Sequence, residues 1–189
     1  MEVYAFIQEV RELLKSTFAG IDAWFDADPV LRGFRPGAGG WTIDQILEHI
    51  SLTNHFLLIL IDKGATKAQR QAGTMDLAEL LASYRPQQDK LTEVGLHRSF
   101  PWIRPEHMEP KGARSNDEVR LLLNAQLERC LTTLDALPNG EGILAKTTMS
   151  VNSLGKIDVY EYLMFLAQHG KRHLMQMRKN EAEFMSKSA

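Results

Sequence analysis

The sequence predicts an all-α protein: a four-helix bundle with an extra, kinked helix in the crossover between helices two and three. Three observations carry that prediction. Thr42-Ile-Asp-Gln45, Asp76-Leu-Ala-Glu79, Ser115-Asn-Asp-Glu118 and Asp158-Val-Tyr-Glu161 each match a capping box, in which two side chains satisfy each other's orphan backbone N–H groups at a helix start. Stop signals answer them at Gly64, at Gly95 and at Pro138-Asn-Gly140. Between starts and stops the apolar residues follow helical spacing, and nothing between the helices reads as a sheet.

The first helix, near residues 2–19, has no box of its own. The second, near 43–63, is entered through a staple of Trp41 on Ile46 and carries a core stripe of Ile43, Ile46, Ile50 and Leu57. A third helical segment, 77–94, has Met75 and Leu80 as its staple. It also contains Pro86, which removes a backbone donor and should kink or split it, making it a connector rather than a stave of the bundle. The stretch from Ser99 to Arg114 reads as a long irregular loop, of the kind that serves as a lid or crossover. A helix near 116–137 follows. The last, near 159–184, is stapled by Ile157 on Tyr162.

At 189 residues the chain suits one domain, residues 1–189. Hydrophobic residues make up 44% and charged residues 24%, an ordinary globular balance. A formal net charge of −2 lacks the basic footprint of nucleic-acid binding. The single cysteine, Cys130, falls among Leu127, Leu131 and Leu134 and reads as a buried thiol rather than a nucleophile. The first residues have no cationic start and no continuous apolar core, and the longest apolar run, Phe56 to Ile61, is far short of the roughly 20 residues that cross a bilayer. A soluble, cytoplasmic protein is expected.

His169 and His173 stand four apart, so both rings leave one face of the last helix. Tyr162, Leu166, His169, His173 and Met177 form one stripe, and that stripe is the apolar face. Two imidazoles one turn apart supply two ligands to a transition metal from one rigid element. The competing reading is a pair of core histidines satisfied by neighbouring carbonyls. A third ligand decides between them. His55 points away from the second helix's core stripe, and His97 and His107 fall in the irregular crossover. His49 borders the stripe beside Thr53 and Leu60.

At about 1.5 Å per residue, His49 lies about 10 Å from the start of its helix and about 21 Å from its end, while His169 and His173 lie roughly 17–22 Å from the start of theirs. The three rings reach one level if the two helices are antiparallel. That requires the long crossover to bring the third stave back in the direction of the second, an up-down-down-up bundle.

Trp41-Thr-Ile-Asp-Gln-Ile-Leu-Glu-His49, followed by Leu154-Gly155, Tyr160-Glu-Tyr162 and His169-Gly-Lys-Arg-His173-Leu-Met-Gln176, resembles the DinB/YfiT-like superfamily of metalloenzymes over essentially the whole chain. The resemblance implies an up-down-down-up bundle in which His49, His169 and His173 bind a divalent metal, zinc or nickel. It also implies hydrolase or thiol-dependent transferase activity on a small-molecule substrate, with a thiol as possible cosubstrate.

Three neutral imidazoles leave such a metal at least one open position, from which it activates a water for hydrolysis or a thiol for transfer. No general acid or base is legible. Gly170 stands where a zinc protease of the His-Glu type carries its glutamate, and no Glu-x-x-His of a di-iron bundle occurs. Gly170 itself either admits a neighbouring helix or is a tolerated accident. Gln176 reads equally as a partner of the metal ligands and as a surface amide. Arg172 reads as a solvated helix edge, with an anionic substrate group as the alternative. Phe56 to Ile61 is apolar around most of its helix, so the crossover helix or a second copy in a homodimer should cover it. The rival to an enzyme is a non-catalytic module that holds a small molecule or partner in the bundle, with a structural or vestigial metal site; haem ligation is a third possibility.

Overall fold

The computed structural model describes residues 3–37, 39–96 and 105–188. These are mostly helical: α1 (Val3–Asp22), α2 (Pro29–Gly33), α3 (Ile43–Ala72), α4 (Leu77–Ser83), α5 (Gln88–Val94), α6 (Asn116–Asp135) and α7 (Val159–Ser188). One small antiparallel sheet pairs β1 (Thr147–Met149) with β2 (Gly155–Ile157), Thr148 lying opposite Lys156.

Side chains set where the long helices begin. Thr42 Oγ1 accepts from Gln45 N at 3.2 Å while Gln45 Oε1 accepts from Thr42 N at 3.1 Å. Ser115 and Glu118 close the same reciprocal box at α6. At α7, Asp158 Oδ1 accepts from both Tyr160 N and Glu161 N at 3.0 Å, and Glu161 Oε2 accepts from Asp158 N at 3.0 Å. This last box is buried, with Asp158 fully inaccessible.

Three expectations from the sequence need correction. Gly64 does not end its helix: α3 runs on to Ala72 and is capped by Gly73. A Cβ on Gly64 would lie 3.1 Å from Val159 Cγ2, so the glycine serves the close approach of α7, which offsets its helix cost of about 1 kcal/mol. A sheet exists where none was expected. Its strands are only three residues long, too short to show the two-residue alternation of a half-buried strand, and left-handed Asn152 (φ 50°), Ser153 (φ 51°) and Gly155 (φ 69°) turn the chain between and into them. The short α2 also went unread, although Asp28 caps it by accepting from Val30 N at 2.8 Å, with Pro29 at its first position. The expected split of the third segment is present: α4 ends before Arg85-Pro86 and α5 begins after it. The pinned gap sits against α7, where Gln87 N donates to Glu161 Oε1 at 2.8 Å.

Each of α1 and α3 packs against both α6 and α7. The start of α3 meets the end of α7, where Asn180 Nδ2 donates to the Trp41 carbonyl at 2.8 Å, and late α3 meets the start of α7 at Gly64 and Val159. Along α6, Gln126 Nε2 donates to the Ser51 carbonyl at 2.9 Å and Arg129 pairs with Asp62. Arg120 near the start of α6 pairs with Asp22 at the end of α1, and Asp135 at the end of α6 with Arg11. Thr17 and Gly20 of α1 face Gly170 and Leu174 of α7. The core between these helices is continuous, from Phe6 and Leu14 through Ile46 and Ile50 to Leu163 and Met177. None of the described helices is long and apolar enough to cross a membrane.

Candidate metal centre

α7 presents Tyr162, Leu166, His169, His173 and Met177 inward, all buried, as the stripe requires. The α3 stripe is buried too, and His49 beside it is 5% exposed, against 3% for His169 and 6% for His173. The opposed helices bring the three rings together: centroids of His169 and His173 are 4.5 Å apart, of His49 and His173 4.8 Å, and of His49 and His169 5.3 Å. One ring nitrogen from each lies within 4.8 Å of the other two.

The hydrogen bonds around the rings select which nitrogens face inward. His49 Nδ1 lies 2.7 Å from the Met108 carbonyl, which can only accept, so Nδ1 carries a hydrogen and, in the neutral ring, Nε2 keeps its lone pair. His173 Nδ1 lies 2.9 Å from Gln176 Oε1 and is fixed in the same tautomer. His173 Nε2 and His169 Nε2 are 3.1 Å apart. Two nitrogens bound to one zinc-class ion at about 2.0–2.1 Å stand about 2.9–3.4 Å apart, so this spacing already suits one cation. Burial, then the neighbouring His173, His49 and Arg172, hold the His169 imidazole well below its ordinary pKa, the neutral form that coordination needs. Trp41 covers His49, its ring centroid 4.7 Å away.

The site was built from parts of differing legibility. Gln176, undecided in the sequence, is the Nδ1 partner of His173. The partner of His49 comes from the crossover as a backbone carbonyl, which no side-chain pattern announces. Glu48, the preceding residue of α3, is buried and accepts from Gly112 N at 2.7 Å and Ala113 N at 3.4 Å, so adjacent residues of one helix tie down the segment that supplies that carbonyl. His55 is exposed, as expected, and so is His107, which rests on Phe56 with ring centroids 4.3 Å apart. His97 lies outside the described residues, as does residue 104 and the loop before it to 98. Cys130 is buried, and burial pushes its thiol up to about 12, which removes it as a nucleophile.

A cavity of about 590 Å³ opens onto the three histidines, within the usual range for small-molecule sites. Trp41, Phe56, Leu60 and Phe165 form apolar wall, and Met149 and Val151 of the unexpected hairpin close one side. The apolar face at Phe56 to Ile61 thus has a use the sequence did not suggest, since Phe56, Leu57 and Leu60 face the cavity. The crossover helix α5 packs against α7 instead. Arg172 also lines the cavity, half-buried, rather than standing at a solvated edge.

The family model described as the DinB superfamily matches residues 7–177. No curated protein and no solved structure matches the chain.

Proposed function

The chain belongs to the DinB superfamily, and from that premise we propose that it is a metal-dependent enzyme in which His49, His169 and His173 hold one divalent transition-metal ion of the zinc or nickel class. The observation that carries this reading is the 3.1 Å separation of the His169 and His173 ring nitrogens, with His49 and His173 each fixed by a hydrogen bond at the other nitrogen. Outer partners of this kind orient metal-binding imidazoles and raise their basicity. The geometry fits the group: three imidazole nitrogen donors, no fourth protein ligand among the described residues, and a cavity on the open side. An ion held there supplies Lewis acidity able to activate a water for hydrolysis or a thiol for transfer.

No aspartate or glutamate is among the described lining residues, so the bound ion itself would acidify the water or the thiol, as a zinc-class ion does by lowering the pKa of a bound water to about 7. The substrate is a small molecule bound against the apolar wall. The reading also includes a single domain arranged up-down-down-up, located in the cytoplasm, with a homodimer as a possible assembly. The arrangement is supported by the order of contacts, in which α3 descends as α7 climbs and α6 follows α3.

Elemental analysis of protein purified without chelator or histidine tag tests the site. One zinc- or nickel-class ion per chain is expected, and H169A and H49A should each lose it. Protein that takes up no ion after reconstitution, with its helical circular dichroism intact, would exclude the proposal. A loaded protein that consumes neither a low-molecular-weight thiol with an electrophile nor an activated ester would instead leave a non-catalytic binding module.

A further inference from the structure

We propose that the cavity takes an amphipathic carboxylate, with Arg172 as the residue that binds its carboxylate group and the apolar wall holding the remainder. The inference deepens the proposed function and rests on this cavity being the substrate site.

Among the described residues that line the cavity there is no aspartate, glutamate or lysine, and Arg172 is the one side chain of fixed charge. The three histidines contribute no negative charge, so a bound divalent ion would add to the positive field rather than be neutralised by its ligands. A concave, low-dielectric site whose fixed charges share one sign concentrates ions of the other sign. Arg172 stands three residues from His169 on α7, hence on a neighbouring position of the same face. Its placement is fixed: Nη1 donates to the Leu96 carbonyl at 2.7 Å, which orients the planar fork suited to bidentate contact with a carboxylate.

The rest of the cavity defines the rest of the ligand. Trp41, Phe56, Leu60 and Phe165 offer aromatic and aliphatic surface. Thr53, one turn beyond His49 on α3, lines the cavity and is 6% exposed, and its hydroxyl has no hydrogen-bond partner among the described residues. A buried hydroxyl left so costs stability unless a ligand or water satisfies it. Among the described lining residues Arg172 is the one cation, which suits a monoanion.

The test uses the full chain, metal-free and zinc-loaded, with 3-phenylpropionate and hexanoate, each compared with its own primary amide by titration calorimetry. Metal-free wild type should prefer each carboxylate by about tenfold, R172Q should bring acid and amide to near parity, and R172K should retain part of the preference, as expected when charge remains and the fork is lost. On the wild type alone, the Arg172 Nε–H resonance should shift with the acids and not with the amides, which keeps the test valid if R172Q fails to fold. The proposal is overturned if neither acid binds at millimolar concentration, if acid and amide bind alike, or if R172Q keeps the full preference. A preference that is present only in zinc-loaded protein and survives R172Q overturns the role of Arg172 while sparing the metal site. A preference that depends on Arg172 in a protein that never takes up metal supports the present inference and refutes the metal reading.

Discussion

Gly170 shows how a single missing side chain positions the site. A Cβ there would lie 2.8 Å from Thr17 Cγ2 and 3.2 Å from Ile21 Cδ1, so α1 approaches α7 directly beside His169 only because the glycine is bare. Alanine would gain about 1 kcal/mol of helix propensity but meet a stiff β-branched neighbour, and overpacking of that kind costs about 1–3 kcal/mol. G170A should therefore lower the thermal midpoint, and T17S, which removes the obstructing methyl, should restore much of it in the double variant. A G170A protein more stable than wild type would show that the close approach has no energetic weight. Q176A releases the Nδ1 hydrogen of His173 and should weaken zinc binding about 10–100-fold in competition with a chromophoric chelator, with little change in stability of the metal-free protein. The histidine pair was legible because both rings share one helix, where spacing alone fixes direction, whereas that spacing left Gln176 undecided between a ligand partner and a surface amide. Arg172 was misread for the same reason, since helical spacing places a residue on a face but cannot say whether a cavity borders that face.

The elements divide similarly into those whose ends are written in side chains and those whose ends are not. Capping boxes located α3, α6 and α7 to within a residue at their starts, because the reciprocal bonds are made by the named side chains themselves. Gly64 misled because a glycine serves close packing as readily as a helix end, and only the facing Val159 separates the two uses. The hairpin from 147 to 157 stayed hidden because three-residue strands carry no period, yet it closes one side of the cavity. The crossover is the element on which the site depends most and which the sequence described least. Its end is attached at Glu48 and His49, so loss of the Glu48 carboxylate should act on the neighbouring histidine through backbone it does not touch. In E48A, amide exchange at Gly112 and Ala113 should quicken, and the downfield Nδ1 proton of His49 should broaden or vanish as its Met108 partner loosens. Unchanged exchange at both amides would mean that Glu48 does not anchor this segment.

For the molecule as a whole, the buried start of α7 governs how folding responds to acid. Asp158 is fully inaccessible, and burial first, then the charge of Glu161, pushes its carboxyl up to about 7, against the opposing pull of its backbone hydrogen bond and of Tyr84 and Lys146. Tyr84, buried alongside, is in turn held far above the ordinary phenol value by burial and by those two carboxylates, so it does not ionise near neutrality. An unfolded aspartate titrates near about 3.9. Between roughly pH 4 and pH 7 the folded protein therefore binds the Asp158 proton more tightly than the unfolded chain does. The sign follows from linkage: where the native state carries more protons, stability falls as pH rises, so Asp158 contributes most below about pH 4 and loses that contribution through about pH 7. Carboxylates whose pKa is lowered on folding, such as Asp22 beside Arg120, act in the opposite sense, so the comparison must be between wild type and D158N. Asparagine retains an oxygen to cap α7 and has no proton to lose. The stability of D158N relative to wild type, measured by urea unfolding of the metal-free proteins, should accordingly rise between pH 4 and pH 7, by up to a few kcal/mol if the whole shift is expressed. A difference that stays constant across that range would mean that the carboxyl is ionised throughout and that the buried helix start accommodates two negative charges.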